Sequence, residues 1–167
     1  MIGKRVFMAD KFIFKVNMST IKQQLHSLCL AYIEKRIKGS HQAIQFAQAS
    51  ANEETKSSAG DKYETGRAMA QLEIEKNSAQ LGEAQKLKQI LLQLDPSKTS
   101  DTIQAGSLIV TNHGSFYISI PAGQFTLEGE IYFAISPASP IAQKLVGLRK
   151  GDRFSFNKKE FEVGQIA

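Results

Sequence analysis

Apolar residues recur at steps of three and four along the first half of the chain. They form two neighbouring lines, the second lying slightly around the helix from the first: Ile21, Leu25, Leu28 and Tyr32, then Ile33, Ile37, Ile44 and Ala47. This spacing is typical of a helix with one buried face and fits neither strand alternation nor a continuous buried run. It predicts a long helix that begins near Ile21 and continues to about Ala51.

A second helical segment follows a polar stretch at residues 50–60, which is rich in turn-forming residues. It begins near Asp61, whose carboxylate suits a helix N-terminus, and Asp95-Pro96 ends it because proline disfavours helix at the preceding residue. Its apolar line consists of Tyr63, Met69, Leu72, Leu81, Ala84, Leu87, Leu91 and Leu94. We predict that the two helices fold back antiparallel around a polar tip.

After Pro96 the composition shifts towards Gly, Ser, Phe, Ile and Val. Residues 106–110 and 115–120 flank a hairpin signal, residues 130–135 resemble a third strand, and the final hairpin pairs residues 153–156 with 161–166 through a turn at 157–160. The predicted fold class is α+β: a helical hairpin followed by a compact antiparallel sheet with one short helix. The predicted divisions are an extension at 1–18, the hairpin at 19–96 and the strand-rich domain at 97–167.

The first seventeen residues are basic and lack the apolar stretch of a secretory signal, and no segment of the chain is long enough to span a bilayer. A fresh pattern starts at Met18, with Ser19 or Thr20 available as a helix cap. We expect Met18 to be the true start; a basic arm that orders on a partner is the alternative.

Charge and cysteine content limit the classes of function. The formal net charge of +5 suits an acidic partner, such as nucleic acid or a complex that carries it. The single cysteine, Cys29, is expected to pack inside a helix rather than serve as a nucleophile, and the three histidines lie too far apart in the chain to suggest a metal site. A reducing cytoplasm is the expected setting, and we predict no enzymatic activity.

The most informative stretch is Ser139–Asp152. Ser139 suits a helix N-cap and Pro140 the first helical position. Ile141, Leu145 and then Val146 are expected to face inward, followed by a left-handed stop at Gly147. A turn through Lys150, Gly151 and Asp152 leads into the next strand.

This stretch resembles the C-terminal signature of bacterial Gre transcription factors, in which Ser-Pro opens a short helix that is followed by Gly and then by Lys-x-Gly-Asp. The chain departs from that signature at one point, where Lys150 stands in place of the earlier lysine. The order of parts also agrees over residues 19–167. The resemblance implies an FKBP-like C-terminal domain that docks on the rim of RNA polymerase, and a hairpin that enters the secondary channel to modulate elongation near the nascent RNA and DNA. It implies a monomer with no cofactor of its own, apart from a magnesium ion shared with the polymerase active site. The docking candidates are Ser139, Pro140, Leu145, Gly147, Lys150, Gly151 and Asp152.

The hairpin tip departs from that family. In cleavage-competent Gre factors two acidic tip residues help to hold magnesium, yet alignment on Tyr63 places Lys56 and Ala59 at those positions. Nearby carboxylates offer two interpretations: with one or two inserted residues Glu54 and Asp61 would face each other, or the acids are solvated residues at helix ends. The acidic candidates are Glu53, Glu54, Asp61 and Glu64, and the candidates for contact with nucleic acid or polymerase are Lys62 and Arg67.

Two other classes of function compete with this reading. A coiled-coil adaptor with a β-rich, protein-binding head would dimerise through residues 21–94, because apolar lines alone do not separate pairing within one chain from pairing between chains. A prolyl isomerase is suggested by the implied fold, but fold does not carry function and the aromatic residues of the strand-rich half alternate like sheet core.

Overall fold

The computed structural model describes the backbone of residues 3–54 and 60–167, and the side chains of residues 17–53 and 64–167. Helix α1 spans Gly3–Glu54 and helix α2 spans Gly60–Leu92. The two predicted helices are confirmed. The expected cap at Ser19 or Thr20 is wrong, because α1 passes through both residues without interruption. No proline interrupts residues 3–20, so nothing in the backbone forces the helix to begin at the cap-like residues.

Contacts group the chain into two compact units. The sheet unit comprises Met1–Leu30 and Ile90–Ala167, and the hairpin unit comprises Ala31–Gln89. The boundaries predicted at residues 18 and 96 follow changes of composition, whereas the contacts assign the first part of α1 and the end of α2 to the same unit as the strands.

Within the hairpin unit, each helix buries residues at intervals of seven. On α1 these are Ile33, Ser40 and Ala47, and on α2 they are Asn77 and Ala84. A seven-residue repeat is the spacing of a coiled-coil seam. The Glu34 carboxylate near the beginning of this part of α1 accepts a hydrogen bond from Lys88 near the end of α2 at 2.9 Å, as antiparallel helices require.

The sheet has six strands in the order β3-β4-β2-β1-β6-β5. Their bounds are β1 Leu108–Thr111, β2 Gly114–Ile118, β3 Gly123–Leu127, β4 Glu130–Ile135, β5 Arg153–Phe156 and β6 Lys159–Ile166, with the short helix α3 at Pro140–Leu145. The α+β class, a helical hairpin followed by a sheet with one short helix, is thereby confirmed.

The prediction of an all-antiparallel sheet is wrong at one pair, since β2 and β4 run parallel. The cause is β3, a strand that the sequence did not reveal. Strand β3 pairs with β4 through a tight turn at Glu128 and Gly129, both at positive φ, so β4 lies between β3 and β2. An edge strand that begins with glycine and exposes Gln124 and Thr126 carries little apolar signal.

The two faces of the sheet bury different partners. One face packs with α3 into a core made of Ile103, Ile109, Phe116, Ile118, Ala142, Leu145, Phe161 and Val163. On the other face Tyr117 and Ser119 contact side chains of α1. Successive residues of a strand point to opposite faces of the sheet, and paired residues point to the same face. Ile109 and Phe116 are paired and lie on the α3 side, whereas Leu108 and Tyr117 are paired and lie on the α1 side.

Candidate functional site

Helix α3 begins as its sequence predicts. The Ser139 hydroxyl oxygen accepts a hydrogen bond from the Ala142 N–H at 3.4 Å, and Pro140 occupies the first turn. A serine cap satisfies an N–H group that would otherwise have no helical partner, and proline has no such group to satisfy. These two residues therefore set where the helix starts.

The end of α3 depends on one buried side chain and one glycine. Leu145 is fully buried in the core, and Gly147 follows at φ +90° with its N–H donating to the Ile103 carbonyl at 2.9 Å. The expectation that Val146 faces inward is wrong: the residue is 47% exposed, because the helix ends at Leu145 and the chain turns outward there.

The next turn is closed by Asp152. Its carboxylate accepts the Arg149 N–H at 2.7 Å, and its own N–H donates to the Arg149 carbonyl at 3.0 Å. The Gly151 N–H donates to the Val163 carbonyl at 2.7 Å, and this hydrogen bond connects the turn to β6. Asp152 and Gly151 thus hold the backbone in shape.

The docking candidates divide into two groups by what their side chains do. Ser139, Pro140, Leu145, Gly147, Gly151 and Asp152 cap, start, fill or turn the local structure, whereas Lys150 presents an exposed charge. Three residues close to Lys150 in the sequence are also exposed. We call the four residues together the α3 surface: Lys144, Val146, Arg149 and Lys150.

The α3 surface combines three cations with one apolar side chain. Among the described residues, none of its cations forms an ion pair, and the nearest carboxylate in sequence, that of Asp152, accepts a backbone N–H. Such a group complements an acidic partner that also offers an apolar contact. Sequence reasoning placed Val146 on the inward side, because no periodic signal marks a residue just beyond a helix end.

The tip candidates are placed only in part. Glu53 near the end of α1, and Glu64 and Arg67 in α2, are exposed. Glu54, Asp61 and Lys62 lie in the helices, but their side chains fall outside the described residues, so the predicted facing pair of Glu54 and Asp61 remains a prediction. Within the part of the chain that the structure describes, no cluster of His, Cys, Asp or Glu is arranged to hold a metal ion.

Three α1 side chains within the sheet unit form a polar line that sequence reasoning did not single out. The Lys22 amino group donates to the Lys98 carbonyl, His26 Nδ1 lies 2.9 Å from the Tyr117 hydroxyl, and Cys29 Sγ lies 3.8 Å from Ser119 Oγ. The spacing of these three residues could have revealed the line, since positions 22, 26 and 29 are four and three residues apart and share one side of α1.

Burial is the main cause of the pKa shifts of these three side chains. It lowers the pKa of Lys22 and of His26, an effect that the Asp95 carboxylate partly opposes in each case. It raises the pKa of the Cys29 thiol to about 11, although the hydrogen bond between Cys29 and Ser119 opposes the rise. A thiol with so high a pKa is a poor nucleophile at neutral pH, so Cys29 acts as a packing residue.

Among the described helices, none is long and apolar enough to cross a bilayer. Comparison of this chain with protein-family models, with curated proteins and with solved structures finds no match.

Proposed function

We propose that this protein binds RNA polymerase as Gre factors do, with the sheet unit docking on the enzyme and the hairpin modulating elongation through the secondary channel. The observation that carries the proposal is the α3 surface. It lies on the stretch that resembles the Gre signature, and it follows an antiparallel helical hairpin in the same order of parts.

The charge of the α3 surface supports an acidic docking partner. Lys144, Arg149 and Lys150 would meet carboxylates on the polymerase rim, and the exposed Val146 would supply an apolar contact. Charged contacts at the rim of an interface mainly accelerate association and are screened by salt, whereas the buried apolar centre slows dissociation. Docking of this kind weakens as salt rises.

The docking step is tested with a charge reversal at one exposed lysine. We expect Lys150→Glu to weaken association with the cognate polymerase about tenfold, equivalent to about 1.4 kcal/mol. Lys158→Glu is the matched control, because Lys158 is also an exposed lysine in a turn of the sheet unit and the charge change is the same. Equal binding by both variants, measured by biolayer interferometry, would contradict docking through the α3 surface.

The role of the hairpin is tested on a backtracked elongation complex with labelled RNA and magnesium. Faster RNA cleavage that disappears in the Glu54→Ala, Asp61→Ala double variant would establish a rearranged acidic tip that helps to hold the second metal ion. Competition with a Gre factor for the polymerase, without faster cleavage, would mean that the protein occupies the channel. Absence of both effects would reject the polymerase proposal.

One observation favours a second candidate, the coiled-coil adaptor. The hairpin unit exposes three large apolar side chains: Phe46 at 76%, and Met69 and Leu72 each at 60%. Exposed apolar groups of this size often mark protein contacts. Sedimentation over a range of concentrations decides between the candidates, since the adaptor dimerises through residues 21–94 and the Gre-like protein stays monomeric.

A further inference from the structure

A small pocket lies between α1 and the sheet, within the sheet unit. Val110, Ser115 and Tyr132 are cross-strand partners on β1, β2 and β4, so their side chains point to the same face of the sheet. All three line the pocket, and Met18 and Ile21 line it from α1. Its volume of about 260 Å³ is just below the range of pockets that hold drug-sized ligands, so it suits one side chain or a similarly small molecule.

Two carboxylates lie beside the apolar residues of this pocket. Glu128 and Glu130 flank Gly129 in the turn that joins β3 to β4, and both line the pocket. Glu130 lies two residues before Tyr132 on β4, so these two side chains point to the same face of the sheet. Neither glutamate forms an ion pair with a described residue. In a chain whose net charge is +5, the pocket is therefore a local site of negative charge.

The Tyr132 hydroxyl is an independent indication of a ligand. Tyr132 is only 5% exposed, yet within the described part of the chain its hydroxyl has no hydrogen-bond partner. Buried tyrosine hydroxyls usually have one. Burial raises the pKa of Tyr132, and Glu130 and Glu128 raise it further, which places the phenol on the acidic side of the pocket. The hydroxyl oxygen can therefore accept a hydrogen bond from a group held by the two carboxylates.

Acceptor groups beside apolar side chains fit an ammonium group carried on an aliphatic chain. An ammonium group donates up to three hydrogen bonds and accepts none. Its aliphatic chain packs against apolar residues while the charged end stays near water, and Met18, Ile21 and Val110 offer that contact. A hard metal ion fits less well, because it takes six or more oxygen ligands and the described residues hold no group of three acidic, His or Cys side chains suited to a metal ion.

We propose that this pocket binds a primary alkylammonium group, whose charged end contacts Glu128, Glu130 and the Tyr132 hydroxyl and whose alkyl chain packs against the residues of α1 and β1. This chemistry is shared by a lysine side chain of a partner protein and by a free diamine. The pocket shares no residue with the α3 surface, so its function is separate from polymerase docking.

The first test titrates n-butylammonium into the full chain at neutral pH and low salt, followed by amide and methyl NMR. We expect saturable shifts at Ile21, Val110 and Tyr132. The matched control is 1-butanol, which has the same alkyl chain without the charge and should bind at least about tenfold more weakly. Equal affinity for the two probes, or no saturable shift with n-butylammonium, would overturn the proposal. Displacement of n-butylammonium by magnesium chloride, but not by sodium chloride of equal ionic strength, would overturn it in favour of a metal site.

Single substitutions test the polar contacts. Glu130→Gln keeps the size of the side chain and removes its charge, and we expect n-butylammonium to bind about fivefold more weakly. Glu160→Gln is the matched control, because Glu160 is also an exposed glutamate near the beginning of a strand that follows a turn, and it should bind like the parent chain. Tyr132→Phe removes only the hydroxyl and should weaken binding about threefold. Equal losses in Glu130→Gln and Glu160→Gln would reject the site, since net charge alone would then explain them.

Two further probes distinguish the source of the ammonium group. One is a capped Ala-Lys-Ala peptide, with norleucine in place of lysine as its control, and the other is 1,4-diaminobutane. Tighter binding of the lysine peptide than of the diamine would support the site and assign it to a side chain of a partner protein. Tighter binding of the diamine would support the site and assign it to a free diamine. Equal binding of the lysine and norleucine peptides would contradict recognition of the ammonium group.

Discussion

Gly147 provides a quantitative test of how α3 ends, because the same substitution should have opposite effects at two glycines. Gly147 has φ +90°, and a Cβ atom added there meets nothing within 4 Å. The cost of Gly147→Ala is therefore backbone strain alone. For a side chain forced into a left-handed conformation that cost is about 1–2 kcal/mol.

Gly82 is the matched control. It lies inside α2 without positive φ, and a Cβ atom there also has nothing within 4 Å. Alanine is favoured over glycine in a helix interior by about 1 kcal/mol, so Gly82→Ala should stabilise the protein. Gly147→Asn should lie between the parent and Gly147→Ala, since asparagine tolerates left-handed backbone better than alanine.

The assay is urea unfolding followed by circular dichroism, with amide NMR signals from each unit to assign the transitions. With a urea dependence of about 2 kcal/mol per molar, a loss of about 1.5 kcal/mol lowers the midpoint by about 0.7 M. Gly82→Ala should raise the midpoint of the hairpin unit by about 0.5 M. A Gly147→Ala midpoint equal to or above that of the parent would refute the strain argument.

Three further predictions concern packing and charge. Leu145→Ala should cost about 2–5 kcal/mol in unfolding free energy, because a fully buried side chain leaves a cavity; a loss below 1 kcal/mol would show that α3 does not anchor the core. Burial lowers the pKa of His26 below 6.5, so the folded state disfavours the added proton. Stability should be full above about pH 6.5 and fall as the pH drops below it, and His26→Gln should reduce that slope in pH-dependent thermal unfolding. Lys88→Ala should change stability by at most about 0.5 kcal/mol at moderate salt, since the ion pair with Glu34 is partly exposed and salt screens it; a double-mutant cycle measures it.

Much of the fold was readable from local pattern. Three- and four-residue spacing predicts both helices, because a buried helical face repeats with the helical turn. The Ser139 cap, the proline that follows it and the stop at Gly147 were also predictable, since each depends on the conformations open to a single residue. The residues of Ser139–Asp152 thus predict where α3 begins and ends before any tertiary contact is known.

Other features depend on contacts between distant parts of the chain. The parallel pairing of β2 with β4 follows from the position of β3, whose sequence carries a weak strand signal. The exposure of Val146 depends on where α3 ends, and the partners of Lys22, His26 and Cys29 come from segments far along the chain.

Local pattern was enough to predict the two hairpin helices, the short helix α3 and its turns, because those depend on neighbouring residues. Tertiary contacts decide which residues of Ser139–Asp152 support the backbone and which stay exposed, since both groups share the same short segment. They also decide which strands lie at the two edges of the sheet, because strand order is a property of long-range pairing and leaves little trace in local spacing.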